Sequence, residues 1–224
     1  MKLIKAILLS LLLSIFASAT QASDDYSGQW RGLLEFAPNA GIVLGVQINK
    51  THDGYIVLLD SPNQGMQDKP VDEFSITGNT LEFKVKELNA SFKGSFDGDL
   101  LSGTFSQQRK FPIELKRLDA KSLVMLDNET RWFGDLQISK SATLPLVLAV
   151  AVLNNQYHVT LDSPQQQSFG IPVDKFSITN DDLSFTSSML NANYQADWQD
   201  GEWVGTFIQG AAMPLTLKKK ALPQ

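Results

Sequence analysis

The sequence predicts an all-β protein made of two tandem antiparallel meander domains, each a small barrel or strongly curved sheet of about eight strands. Three observations predict it: an internal repeat, alternation of apolar and polar residues, and short turns rich in Gly, Asn and Asp. The predicted units cover residues 26–118 and 129–220, after a signal peptide at residues 1–22.

The repeat is clearest in the tetrapeptide Leu-Asp-Ser-Pro, which occurs at Leu59–Pro62 and again at Leu161–Pro164, 102 residues later. The same offset aligns Trp30 with Trp132 without a gap, and roughly a third of the aligned positions are identical. Since the offset holds along nearly the whole of both units, the chain contains an internal duplication. Both halves should therefore share one fold.

Eight short segments of each unit alternate between apolar and polar residues, which is typical of half-buried antiparallel strands. Turns such as Asp53-Gly54 join them, because Gly, Asn and Asp accept a positive φ. At this size, side chains should fill most of the barrel interior. The strands predicted in the first unit are residues 29–36, 42–49, 55–59, 74–76, 81–85, 90–96, 101–105 and 111–115.

The amino terminus has the pattern of a secretory signal peptide. Lys2 and Lys5 precede an apolar run from Ala6 to Ala17, which is too short for a membrane-spanning helix, and small residues follow. We therefore expect a periplasmic or secreted protein with no membrane span in its mature chain. The sequence has no cysteine, so it would be held together by its core without disulfides.

The polar residues that the two units share fall in the loops at one end of each predicted barrel. The longest loop, residues 60–72, could fold across the mouth, and long loops at one end of a rigid scaffold often carry binding sites. The candidate ligand-binding residues of this rim are Asp60, Ser61, Gln64, Asn89, Gln107, Asp162, Ser163, Gln166, Asn191 and Gln209.

A purely structural role explains the same residues. Asp-Ser-Pro is a favourable turn sequence, because Asp bonds nearby backbone N–H groups and Pro fixes φ. Asn89 and Gln107 could satisfy backbone groups that the loops leave unpaired. Both interpretations remain open from the sequence.

Apolar residues also occupy outward-facing positions of the second strand in both units and of the third strand in the first unit. Residues Leu144–Leu153 are apolar on both faces, a pattern that indicates a strand covered on both sides. We expect these outer patches to meet, either joining the two domains or forming a homodimer contact. The candidate interface residues are Val43, Ile56, Leu58, Val147, Ala149 and Ala151.

Motifs for catalysis are absent from the sequence. It contains no G-x-S-x-G, S-x-x-K, H-E-x-x-H, phosphate-binding loop or dinucleotide glycine motif, and His52 and His158 do not align between the units. The sequence therefore predicts a protein that is not an enzyme, with no catalytic residue, metal site or cofactor. A formal net charge of −5 argues against nucleic acid as a partner.

The pattern Gly28-x-Trp30-x-Gly32, followed by Leu59–Gly65 and Gly103–Gln107, resembles an accessory β-segment of secreted bacterial serine-type α/β-hydrolases. In those enzymes the segment precedes the catalytic domain, for which this sequence has no counterpart. The resemblance therefore implies an exported, non-catalytic module, here duplicated. The opening Gly-x-Trp also resembles the first strand of lipocalin-like barrels, a likeness of fold alone.

Two functional hypotheses follow. The first is an exported binding module that contacts a small molecule, a glycan or a peptide at the loop-rich barrel ends. The second is an interaction protein that docks on another exported protein, such as a hydrolase, through its outer apolar sheet faces.

Overall fold

A computed structural model describes residues 25–37 and 40–219; the predicted signal peptide lies outside the described residues. Two sheets of nine antiparallel strands follow one another along the chain. Between them lie one α-helix, α1 (Ala120–Met125), and a 3-10 turn (Leu126–Asn128). No helix in the described ranges is long and apolar enough to cross a membrane.

The first sheet has the strand order β4-β3-β2-β1-β9-β8-β7-β6-β5. Its strands are β1 (Gly28–Ala37), β2 (Ala40–Thr51), β3 (Gly54–Ser61), β4 (Met66–Pro70), β5 (Glu73–Thr77), β6 (Thr80–Val85), β7 (Ala90–Asp97), β8 (Leu100–Gln107) and β9 (Arg109–Arg117).

The second sheet repeats this order, as β13-β12-β11-β10-β18-β17-β16-β15-β14. Its strands are β10 (Thr130–Ser139), β11 (Ala142–Leu153), β12 (Gln156–Ser163), β13 (Ser168–Pro172), β14 (Lys175–Ile178), β15 (Asp182–Ser187), β16 (Ala192–Gln199), β17 (Glu202–Gln209) and β18 (Ala211–Lys219). The register repeats with the sequence offset: Trp30 pairs with Val46 across β1 and β2, and Trp132 pairs with Leu148 across β10 and β11. The predicted all-β fold in two tandem copies is confirmed.

Each sheet curls strongly into a half-barrel. The first strand pairs with the last one, so the break in the ring lies between β4 and β5. Two backbone hydrogen bonds bridge this break: the N–H of Val71 donates to the Val57 carbonyl (3.3 Å), and the N–H of Asp72 donates to the Lys84 carbonyl (2.9 Å). The segment that joins the two edges therefore contacts both sides of the opening.

The strands β4 and β13 are additions to the eight strands predicted for each unit. Residues 60–72 were expected to be a loop across the barrel mouth, and this expectation is wrong. Instead, β3 continues to Ser61, Pro62–Gln64 forms a 3-10 turn, and β4 returns antiparallel to β3. The periodicity missed β4 because it is a mostly polar strand that ends in Pro70, a composition that sheet edges tolerate.

Alternate side chains of each half-barrel fill its own core. Trp30 is fully buried in the first core, and Trp132 is buried in the second. Two glycines shared by the copies permit close strand packing: a Cβ on Gly32 would lie 2.2 Å from the Glu114 carbonyl oxygen, and one on Gly134 would lie 2.2 Å from that of Thr216. The curl of the sheets thus depends on glycine in the first strand of each copy.

Candidate functional site

The Ser and Gln of the repeated Asp-Ser-Pro-x-Gln sequence bond to each other in both copies. Ser61 Oγ donates to Gln64 Oε1 (2.9 Å), and Ser163 Oγ donates to Gln166 Oε1 (2.8 Å). Each bond spans the 3-10 turn that begins at the proline. The motif therefore stabilises the tight turn between the third and fourth strands of each sheet.

The aspartates of the motif hold the start of the returning strand. The backbone N–H of Asp68 donates to Asp60 Oδ1 (2.7 Å), and that of Gly170 donates to Asp162 Oδ1 (2.8 Å). Asp68 and Gly170 occupy equivalent positions, and both have a positive φ, 52° and 66°. In each copy, the buried aspartate thus accepts from a backbone N–H at the residue with positive φ, in place of a carbonyl of the sheet.

The other two rim glutamines, Gln107 and Gln209, bond to the backbone of the neighbouring turn. Gln107 Nε2 donates to the Leu88 carbonyl (3.0 Å), and Gln209 Nε2 donates to the Leu190 carbonyl (2.8 Å). Both contacts are exposed, and they are the loop-capping bonds of the structural interpretation.

The rim asparagines have a conformational role. Asn89 and Asn191 have φ values of 47° and 48°, in the left-handed region that Asn tolerates better than most residues. The remaining predicted rim residues separate by location. Asp60, Ser61, Asp162 and Ser163 are buried. Asp162 also borders a cleft between the two halves, together with Gln64.

The two halves contact each other through the outer faces of β2 and β11 and the 3-10 turn after β3. Val43, Val147, Ala149 and Ala151 are buried. Leu58 is half-buried, and Ile56 remains 49% exposed. An external protein could reach the buried positions only if the two halves separated.

Polar contacts fix the relative position of the halves. Asn63 is buried; its Oδ1 accepts from the Val43 N–H (2.9 Å), and its Nδ2 donates to Thr160 Oγ1 of the second half (3.3 Å). His158 Nε2 lies 3.1 Å from the Gly41 carbonyl oxygen. Burial lowers the pKa of His158, which favours a neutral ring that donates this hydrogen bond.

A buried cluster of three charges also links the halves. Arg31, only 4% exposed, donates from Nη1 to Asp60 Oδ2 (2.8 Å) and from Nη2 to Glu129 Oε1 (3.1 Å). Glu129 Oε2 accepts from the Val152 N–H (2.9 Å). Burial raises the pKa of Glu129, while Arg31 and the Val152 N–H act in the opposite direction.

Glycine at position 45 leaves the space that the Arg31 side chain occupies. Gly45 pairs with Arg31 across β1 and β2, and a Cβ there would lie 1.7 Å from Arg31 Nη1. The equivalent pair in the second half is Phe133 and Val147. The two positions therefore differ together between the copies: a large cation faces glycine in one, and an aromatic ring faces valine in the other.

A cleft of about 340 Å³ opens between the two halves, beside this junction. A volume of this size suits a small organic ligand. The residues that line it include Phe36, Ile42 and Gln64 from the first half and Arg131, Asp162 and Phe169 from the second. Phe36 and Phe169 are large exposed apolar side chains, 41% and 63% exposed. The cleft thus combines aromatic walls with a cation and a carboxyl group.

Arg131 differs from Arg31 in having a loose ion pair. Its Nη2 lies 3.8 Å from Asp162 Oδ2, which is beyond hydrogen-bond distance, and its side chain is 28% exposed, whereas Arg31 is buried and bonded at 2.8 and 3.1 Å. The guanidinium lies over the Phe133 ring, 5.2 Å from the ring centroid. Arg131 therefore retains donors that an anionic group entering the cleft could use.

Glycine at position 65 leaves space for the Arg131 side chain. A Cβ on Gly65 would lie 2.6 Å from Arg131 Nη1, and the φ of +74° also favours glycine there. The second copy has Gln167 at the equivalent position.

Burial raises the pKa of Asp162, and the Gly170 N–H and Arg131 act in the opposite direction. This carboxyl group therefore holds its proton more readily than an exposed aspartate does.

The sequence did not predict Arg31, Arg131, Phe36 or Phe169 as functional residues. Each occupies a position at which the two copies carry different residues, and the cleft uses different positions from each copy. The signal that could have pointed to the junction is the coupled difference between Arg31–Gly45 and Phe133–Val147.

No protein-family model, no curated protein and no solved structure matches this chain. Among residues 25–37 and 40–219, no group of three or more His, Asp or Glu side chains is arranged to hold a metal ion.

Proposed function

We propose that this protein is an exported, non-catalytic binding module that holds a small anionic ligand with an aromatic or aliphatic body between its two β-domains. Export is supported by the signal-peptide pattern of residues 1–22, and a non-catalytic role is supported by the resemblance to the accessory segment of secreted hydrolases.

The observation that carries the proposal is the loosely paired guanidinium of Arg131, which lines a cleft with aromatic walls. An apolar ligand body between Phe36 and Phe169 would remove exposed aromatic surface from water. A carboxylate, sulfonate or phosphate on that ligand would accept from the Arg131 guanidinium, whose side chain is 28% exposed and whose Nη2 lies 3.8 Å from Asp162 Oδ2. A site with apolar walls and few polar groups is typical of small-molecule binding.

The location differs from the barrel-end rims named by the sequence. Of the ten rim residues, Gln64 and Asp162 line the cleft. The serines and glutamines of both motifs, and Gln107 and Gln209, form the turn and loop bonds described above. Ligand contact by the other rim residues stays a prediction, whereas the cleft offers a volume, a cation and aromatic walls in one place.

Calorimetric titration with anilinonaphthalenesulfonate, a small aromatic sulfonate, tests the proposal. We expect one molecule bound per chain, and we expect Arg131→Met to weaken binding at least about 10-fold, because it removes a charge-assisted hydrogen bond while keeping an apolar side chain of similar length.

Arg109→Met is the matched control, since Arg109 also lies 5.2 Å over a phenylalanine ring, that of Phe111, but does not line the cleft. It should leave the dissociation constant unchanged. Equal weakening by both variants, or unaltered binding to Arg131→Met, would show that the probe binds elsewhere.

A further inference from the structure

The lower end of the first half-barrel, opposite the Asp-Ser-Pro turns, is covered by the chain that precedes β1. The Tyr26 ring stacks on Phe96, with centroids 4.1 Å apart and an interplanar angle of 16°. The Tyr26 carbonyl accepts from Trp30 Nε1 (3.1 Å), and its hydroxyl donates to the Gly78 carbonyl (3.0 Å). An extended segment with one aromatic residue thus closes this end and satisfies a buried indole.

A cation fastens that segment. The Arg117 guanidinium lies over the Trp30 ring (4.5 Å to the centroid) and donates to the carbonyls of Ser27 (2.6 Å) and Asp25 (3.0 Å). Three components therefore recognise the segment: an aromatic platform, an indole donor and a cation that binds backbone carbonyls.

The second half-barrel has the same three components at the same positions. Trp132 replaces Trp30, Trp198 replaces Phe96, and Lys219 replaces Arg117, with Lys219 Nζ 5.2 Å from the centroid of the Trp132 ring. Trp203 joins them, 6.0 Å from Trp132 and 4.7 Å from Trp198. The platform is larger here, and Trp198 is 40% exposed.

What differs is the chain that precedes β10. It enters the strand through α1 and a 3-10 turn, and the position equivalent to Tyr26 is Asn128. The Asn128 side chain donates to the Tyr157 hydroxyl (2.9 Å). The helix therefore brings the preceding chain onto the β11–β12 turn, where Ser122 bonds to Asn155, whereas Trp198 makes its ring contacts with Trp132 and Trp203.

The indoles of this end lack the acceptor that the first half supplies. Trp132 and Trp203 are 4% and 3% exposed, and the Nε1 atom of each is buried without a hydrogen-bond partner among the described residues. An unpaired buried donor costs roughly 1–3 kcal/mol, so a bound carbonyl at this place would be stabilised.

We propose that the Trp132–Trp198–Trp203–Lys219 cluster binds an extended peptide segment of a partner protein, with a Tyr or Phe ring on Trp198 and a backbone carbonyl on a buried indole N–H. The first half is the template, because the chain itself fills the equivalent place with Asp25-Tyr26-Ser27. A neighbouring carbonyl of the peptide accepts from Lys219, as those of Ser27 and Asp25 accept from Arg117.

The test follows the indole N–H resonances of the four tryptophans by NMR while the capped pentapeptide Asp-Asp-Tyr-Ser-Gly is titrated into the full chain. We expect a saturable shift of the Trp132 or Trp203 indole and weaker binding of the same peptide with Ala in place of Tyr. We also expect Trp132→Phe to weaken binding about 5-fold, the value of one neutral hydrogen bond.

Lys219→Met is a second test, in case Trp132→Phe disturbs folding. Because Lys219 is exposed, this substitution should weaken peptide binding and leave the stability of the protein unchanged. Trp30→Phe is the matched control and should leave binding intact. Absence of any indole shift, or a shift with a cello-oligosaccharide in place of the peptide, overturns the proposal. Binding that tightens 10-fold or more when residues 220–224 are removed also overturns it, because those residues would then be the occupant.

Discussion

Replacement of Arg31 by alanine is expected to lower the free energy of unfolding by about 3–5 kcal/mol. The reason is the pair of carboxylates that the change leaves buried without their cation: Asp60 and Glu129 have side chains 5% and 3% exposed. Urea unfolding of the variant and the wild-type chain measures the difference.

The control for Arg31→Ala is Lys84→Ala, which breaks an ion pair with Glu73 in which both side chains are about half exposed or more. Exposed pairs contribute at most about 1 kcal/mol, so this variant should stay close to wild type. If Arg31→Ala were equally mild, the charged junction would have to be hydrated and open rather than buried. A variant with Arg31, Asp60 and Glu129 all replaced by apolar residues should recover much of the loss, because it leaves no unpaired charge.

The second large effect is expected for Trp30→Ala, at roughly 3–5 kcal/mol of unfolding free energy, the range for a fully buried aromatic residue. The substitution removes the ring that packs 5.1 Å from Phe96 and lies under Arg117, and it also removes the indole donor to Tyr26. The first half-barrel would lose both its end packing and the anchor of the preceding segment.

Phe74→Ala provides the comparison for Trp30→Ala, since Phe74 lies on the edge strand β5 and is 41% exposed. Its unfolding free energy should fall by less than half as much, because less apolar surface is buried. Equal losses from the two substitutions would contradict the inward position of Trp30.

The repeat and the alternation of apolar residues were sufficient to predict two β-domains and eight strands in each. Such patterns report which residues face a core, and that is a local property of each strand. Strand β4 escaped because its polar residues lie at a sheet edge, where no alternation is required.

The junction could not be predicted to the same depth. The outer apolar residues indicated that a face of β2 and β11 is covered, but periodicity carries no information on how two sheets rotate against each other. The relative orientation of the two sheets brings Arg31 to Glu129 and places Arg131 near Asp162 in a cleft with aromatic walls. The rim residues were named because both copies share them, and a shared residue serves the common fold as readily as a ligand.

The central claim is that the two copies pack through the outer faces of β2 and β11 and so create the cleft. Nuclear Overhauser contacts measured on the isotope-labelled chain test it most directly. We predict cross-peaks from the Asn63 side-chain amide to the Thr160 methyl group and from the Gly41 α protons to the His158 ring. A spectrum with the cross-strand contacts of each separate sheet, such as Trp30 to Val46, but neither contact between the copies, would contradict the claim.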